Sequence, residues 1–133
     1  MYDVVKAIIY RGGLFLLQLR DNDPSILYPN TWSFFGGGVD DEESKDNALY
    51  RELEEELGWQ PEKIECLYES KNEKLNCKTT YYLLRCDVPS DKLILGEGQA
   101  MDWFSSEEIL ALSNTPGEIK SIINKVTRHL KKS

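Results

Sequence analysis

The sequence predicts an α/β fold in which a mixed sheet is layered with helices. Two observations carry the prediction: short β-branched or apolar runs punctuated by glycine turns, and two or three intervening segments with apolar residues at helical spacing. The 133 residues suit one domain over 1–133, with a single two- or three-layer core and no mass for a second.

The elements follow in order. Residues 4–10 form a β-branched run, Arg11-Gly12-Gly13 a glycine turn, and residues 14–20 a nearly continuous apolar run, the pattern of a strand covered on both faces. A hairpin is the simplest reading. Residues 21–31, with Asp23-Pro24-Ser25 and Tyr28-Pro29-Asn30, have loop chemistry, and long ordered loops often line sites. Trp32-Ser33-Phe34-Phe35 then leads into Gly36-Gly37-Gly38. Ser44 is the expected N-cap of a helix over 45–57, with Asp46 and Asn47 in its first turn and Gly58 as its stop.

Residues 64–69 read as a short strand and 78–88 as a longer one, broken by Pro89-Ser90-Asp91. Ser105-Ser106-Glu107-Glu108 opens a short helix with a capping box. Thr115-Pro116-Gly117-Glu118 opens the last helix with a second box and proline at its first position. There Ile119, Ile122, Ile123, Val126 and Leu130 make a core-facing stripe, with Lys120, Lys125, Arg128, Lys131 and Lys132 outside it.

A net charge of −7 argues against a nucleic-acid-binding surface or an anionic membrane as partner, since both need clustered Lys and Arg. Cys66, Cys77 and Cys86 are odd in number and lack CxxC spacing, so they read as reduced core thiols of a cytoplasmic protein. Neither a charged leader with an apolar run nor an apolar segment near 18 residues long is visible. The sole histidine, His129, reads as a surface residue.

The expected helix over 45–57 carries the chemistry. At about 100° per residue, Glu52, Glu55 and Glu56 crowd one side, and Ala48 one turn earlier leaves that side open. Tyr50, Leu53 and Leu57, with Leu49 at the edge, form the apolar stripe opposite. Like charges at these spacings repel, and a hard divalent cation held by carboxylate oxygens would offset that. Taken alone, such a run is more often a solvated face.

The wider frame decides. Gly37, then five residues before Glu43, then seven before Arg51-Glu52-Leu53-Glu54-Glu55-Glu56-Leu57-Gly58-Trp59, resembles the signature of the Nudix hydrolases at every constrained position. The resemblance implies an α/β/α sandwich with a loop-helix-loop metal site that binds Mg²⁺, with Mn²⁺ as substitute. It further implies cleavage of a nucleoside diphosphate linked to a group X, a small-molecule nucleotide. Carried over by position, Glu52, Glu55 and Glu56 are the implied metal ligands, with the carbonyl of Gly37 as a further one. Glu43 and Arg51 are implied to brace loop against helix, and Glu43 to help orient the base. Glu97, in Glu97-Gly98-Gln99, matches a carboxylate that reaches the metal from outside the helix in MutT-like members. Phe35 stands where many relatives carry proline.

The implied chemistry is metal-assisted hydrolysis, with Glu52 as base, Glu97 second, and Glu55 and Glu56 as main ligands. Arg20 resembles a strand-end basic residue near substrate phosphate, and is equally a strand-terminal solvent charge. Asn114 resembles a base-contacting asparagine, and Tyr28, Trp32 and Phe34 are candidate base contacts, although aromatics flanking a loop are at least as often core. The small architecture suits a nucleoside triphosphate or a damaged one, with sugar nucleotides second. A non-catalytic nucleotide-binding domain would have lost a box carboxylate, and none is lost. A prenyl diphosphate isomerase would carry a cysteine near the glycines, and the first here is Cys66. Monomer and homodimer stay open.

Overall fold

The structure is a computed structural model that describes residues 1–96 and 98–132. Among these residues the sheet has seven strands, and it is built around β1 (Tyr2–Arg11). β1 turns through Gly12 and Gly13, at φ 54° and 82°, into antiparallel β2 (Leu14–Leu19). Positive φ at both turn positions is what a tight hairpin matched to strand twist requires, and glycine adopts it without penalty. β2 takes only the 9–11 end of that edge of β1. The rest is taken by β4 (Phe35–Gly38), which pairs antiparallel from Val4↔Gly38 to Ala7↔Phe35.

On the other edge β1 pairs in parallel with β6 (Cys77–Arg85), from Tyr2↔Cys77 to Tyr10↔Arg85. β5 (Glu65–Asn72) closes that side as an antiparallel partner of β6, while β3 (Trp32–Ser33) and β7 (Ala100–Ser105) flank β2. One parallel pair among antiparallel ones makes the sheet mixed.

Alternation along β1 separates two cores. Val5, Ala7 and Ile9 join Phe35 and face Leu49, Leu53 and Leu57 of α1 (Lys45–Leu57). Ile8 joins Phe15, Leu17 and Phe34 on the opposite face. There Ile109 of α2 (Ser106–Ala111) and Ile119, Ile122, Ile123 and Val126 of α3 (Gly117–Lys131) cover it. The result is an α/β/α sandwich.

α1 has the expected limits. Ser44 Oγ accepts from Asn47 N at 3.1 Å, and Gly58 closes the helix at φ 62°. Its buried face is not the expected one: it comprises Ala48, Leu49, Leu53, Glu56 and Leu57. Ala48 is therefore packed in the core, leaving no open face, and Tyr50 lies outside the stripe. β4 consists mostly of glycine and holds no side chains off the helix, so α1 settles close enough to bury Glu56.

α3 departs at its start. Pro116 is the N-cap residue, one position later than expected, with no side-chain cap. Thr115 Oγ1 is buried without a partner, and the Glu118 carboxylate, the other half of the expected box, accepts from Ser70 Oγ on β5 at 3.0 Å. The Ser105–Glu108 box does form, in both directions. Strands 64–69 and 78–88 shift to the limits of β5 and β6 as their hairpin turns at Asn76, φ 52°. All three cysteines are free. Cys77 and Cys86 are buried, but Cys66, beside a bulge on edge strand β5, is exposed, so only two are core thiols.

Candidate active site

The loop before α1 is fastened to it by one guanidinium. Arg51 grips Glu43 bidentately, Nε to Oε2 at 2.8 Å and Nη2 to Oε1 at 3.0 Å. Nη2 also donates to Gly38 O at 3.0 Å, and Nη1 to Glu52 Oε1 at 3.1 Å. Glu43 Oε1 accepts from Asp40 N at 3.0 Å. Arg51, and secondarily the Asp40 amide, hold the Glu43 carboxyl below the usual carboxylate range. Two parallel charge-assisted bonds fix an orientation as well as a distance.

The three box carboxylates stand in different surroundings. The Glu55 side chain is 54% exposed and within 3.5 Å of Arg51 Nη1. The Glu52 side chain is only 14% exposed and lies on Gly37, where a Cβ would come within 2.7 Å of Glu52 Cδ. A side chain at Gly37 would push the carboxylate out of that position. Glu56 is 2% exposed. Its Oε1 accepts from Gly36 N at 3.2 Å and its Oε2 from Gln18 Nε2 at 3.3 Å. Burial, and then the neighbouring Glu52, push the Glu56 carboxyl up to about 8. Gly96 N donates to Glu56 O at 2.8 Å. Glu97 lies outside the described residues.

These donors suit a hard divalent cation, although among the described residues no three acidic, histidine or cysteine side chains converge as a ready cage. Glu52 and Glu56 are paired acids whose joint ionisation is opposed by burial, and an oxygen-liganded cation reverses that opposition. Glu55 is turned outward to Arg51 in this conformation.

A pH dependence follows. The folded state holds the Glu56 proton more tightly than an unfolded chain with the ordinary value of 4.5. The stability from this group is therefore full below 4.5 and is lost as pH rises toward about 8. In EDTA, thermal melts are expected to show Tm falling across that window, and Glu56→Gln to flatten the fall. An unchanged slope in the variant would count against the assignment.

On the α3 side of the sheet lies a cavity of about 410 Å³. Its floor is the row of Val4 and Lys6 on β1 with Thr79 and Tyr81 on β6, and Arg20, Tyr28 and Phe34 also line it. Phe34 belongs to the second core as well, edge-on to Tyr81 at 6.1 Å. Arg20 Nε donates to Leu27 O at 3.0 Å. Trp32 and Asn114 are not among the lining residues. The Trp32 ring meets Phe104 edge-on at 4.9 Å. Asn114 ties the loop, its carbonyl accepting from Trp32 N at 2.9 Å and its Nδ2 donating to Asn30 O at 3.3 Å.

Sequence reasoning missed Gln18, Lys6, Ser33 and Glu118. The signal for the first two was present: each is a polar residue inside an otherwise apolar strand run. Burial lowers the Lys6 ammonium pKa, and the nearby Arg20 cation lowers it further.

A mixed sheet between helices, with a glycine strand pressed on a carboxylate-bearing helix, defines a domain built around a loop-helix-loop segment. Residues 3–125 match the family model described as NUDIX domain, and the chain belongs to the Nudix family. It is 36% identical over 121 residues to the CTP pyrophosphohydrolase of Escherichia coli (strain K12), covering 90% of this chain and 87% of that protein. It is 39% identical over 99 residues to the RNA pyrophosphohydrolase of Haemophilus influenzae (strain 86-028NP), covering 74% of this chain. The match spans only 44% of that relative's length. The MutT protein of Methanosarcina mazei Go1 superposes with a TM-score of 0.80 at 24% identity, over 98% of this chain and 95% of that one, a likeness of fold.

Proposed function

We propose that the chain is a Mg²⁺-dependent pyrophosphohydrolase, with Mn²⁺ as substitute, that converts a nucleoside triphosphate or a damaged one to the monophosphate and pyrophosphate. The observation that carries this reading is the Glu52–Glu56 pair packed on the glycines of β4, with a cavity of about 410 Å³ lined by Lys6, the neighbour of Gly36 in register. That volume is of the size small-molecule sites have, within about 300–1,000 Å³. The names of the two curated relatives, one acting on CTP and one on RNA, support a nucleotide. The net charge of −7 favours a free nucleotide over a polymer end. Among the described residues no helix is long and apolar enough to cross a membrane, which is compatible with work on cytoplasmic nucleotides.

Glu52, Glu55, Glu56 and the Gly37 carbonyl would hold the cation, together with Glu97. When bound, it supplies charge neutralisation at the diphosphate and a water of lowered pKa. Glu52 would accept a proton from the attacking water, Arg51 and Glu43 keep loop and helix in register, and the cavity would take the nucleoside.

The test is release of monophosphate and pyrophosphate from a panel of nucleoside triphosphates, oxidised nucleotides, sugar nucleotides, ADP-ribose and a 5′-triphosphate RNA. Each is assayed with Mg²⁺, Mn²⁺ or EDTA. Turnover of a free triphosphate that EDTA abolishes is expected. Exclusive turnover of the RNA, or silence despite measured metal binding, sinks the reading.

A further inference from the structure

Lys6 is the charged residue in the otherwise apolar stretch Val4-Val5-Lys6-Ala7-Ile8-Ile9. Its neighbours in register are Tyr81 on β6 and Gly36 on β4. One row therefore runs across three strands, from the wall of the cavity, through Lys6, to the glycine whose N–H is bound by Glu56. Gly36 gives the lysine its room: a Cβ there would lie 3.0 Å from Lys6 Cδ. The stem thus crosses the bare glycine, and its charge stands within electrostatic reach of the Arg20 cation and of the carboxylates of Glu56, Glu52 and Glu118.

Two polar groups of this cavity wall lack partners. Among the described residues the Lys6 ammonium makes no hydrogen bond or ion pair. Ser33, 7% exposed, lines the same cavity, and its Oγ is buried with no partner. Buried polar atoms are nearly always satisfied, so the Ser33 hydroxyl left open in the cavity that Lys6 also lines points to a ligand that brings its own acceptors. Arg20 adds a second cation to the same wall, against the carboxylate of Glu118, and the excess positive charge favours an anion between the two cations.

We propose that Lys6 binds a phosphoryl oxygen of the nucleotide, with Ser33 and Arg20 completing the contact, so that the phosphate chain passes over Gly36 from the cavity to the carboxylates of α1. The identity of the ligand as a nucleotide rests on the pyrophosphohydrolase reading above. The contact itself is with any phosphate carried on a nucleoside. It serves binding more than bond cleavage, because it is made by ground state and transition state alike.

The experiment is calorimetric titration in EDTA of the four common nucleoside monophosphates and the matching nucleosides, against wild type, Lys6→Gln and Lys6→Arg. Thermal melts confirm that each variant is folded. Lys6→Gln is expected to weaken the tightest monophosphate about 10–100-fold, the scale of a lost hydrogen bond to a charged group, while leaving the nucleoside unchanged. Lys6→Arg should keep most of the monophosphate affinity. In turnover assays with metal, the KM of Lys6→Gln should rise by a similar factor with kcat little altered.

Equal monophosphate affinity in wild type and Lys6→Gln overturns the proposal. So does a parallel loss for monophosphate and nucleoside, which marks a damaged cavity, or no monophosphate binding at all. Lys6-dependent binding without hydrolysis of any triphosphate would leave this site standing and remove the hydrolase reading. Hydrolysis by Lys6→Gln at the wild-type KM does the reverse.

Discussion

Glu52→Gln is expected to lower kcat/KM by about 10²–10⁴-fold, the span general-base catalysis supplies, with kcat taking most of the loss. The change removes a charge and keeps the shape. The substituted amide would still lie on Gly37, and its oxygen would still accept from Arg51 Nη1, which reaches Glu52 Oε1 at 3.1 Å. Stability should therefore hold, and in EDTA it should rise slightly, because Glu56 loses the acid that opposes its ionisation. Steady-state pyrophosphate release together with thermal melting separates the two effects. Activity within tenfold of wild type, at unchanged metal affinity, would move the base to another carboxylate.

Gly36→Ala is expected to cost about 2–6 kcal/mol, combining about 1–3 for a strained φ with about 1–3 for overpacking. Gly36 sits at φ 146°, and a Cβ there would strike the Val5 carbonyl and come within 2.9 Å of Lys6 Cα. Both obstacles are backbone, so no rotamer relieves them. The pairing of β4 with β1 must open instead, and with it the Gly36 N–H that holds Glu56. Urea denaturation would show the loss as a lower midpoint. A midpoint within 0.5 M of wild type, about 0.5–1.5 kcal/mol at ordinary urea slopes, would mean that the strand tolerates the side chain.

Legibility in the sequence followed the range of the interactions. α1 ran between the expected residues because its ends are specified locally, by Ser44 at one terminus and the left-handed Gly58 at the other. The Glu43–Arg51 grip lies eight residues apart in the loop-helix segment itself, and the resemblance implied it. Which carboxylate is buried depended on the bare surface of β4, twenty residues from Glu56, and a helical projection holds no record of that. Likewise the Glu118 carboxylate, which the expected box turns back to the Thr115 N–H, instead accepts from Ser70, forty-eight residues away. Trp32 and Asn114 look like ligand contacts on a linear string. In three dimensions they hold the 21–31 loop and one another. Lys6 was visible as an anomaly, but its meaning required the register of three strands.

The nine-rung parallel ladder between β1 and β6 has a kinetic consequence. Tyr2 meets Cys77 and Tyr10 meets Arg85, so the strand at the centre of the sheet cannot finish pairing until a distant segment has been made and has closed a long loop around it. Closure entropy must be met before those rungs repay it, which makes such pairings slow. The β1–β2 hairpin, closed by two glycines, can form early and locally. Until β6 arrives, its apolar face and one open edge remain available to other chains, so the nascent protein is most vulnerable to misassociation while the region beyond residue 77 is still being synthesised.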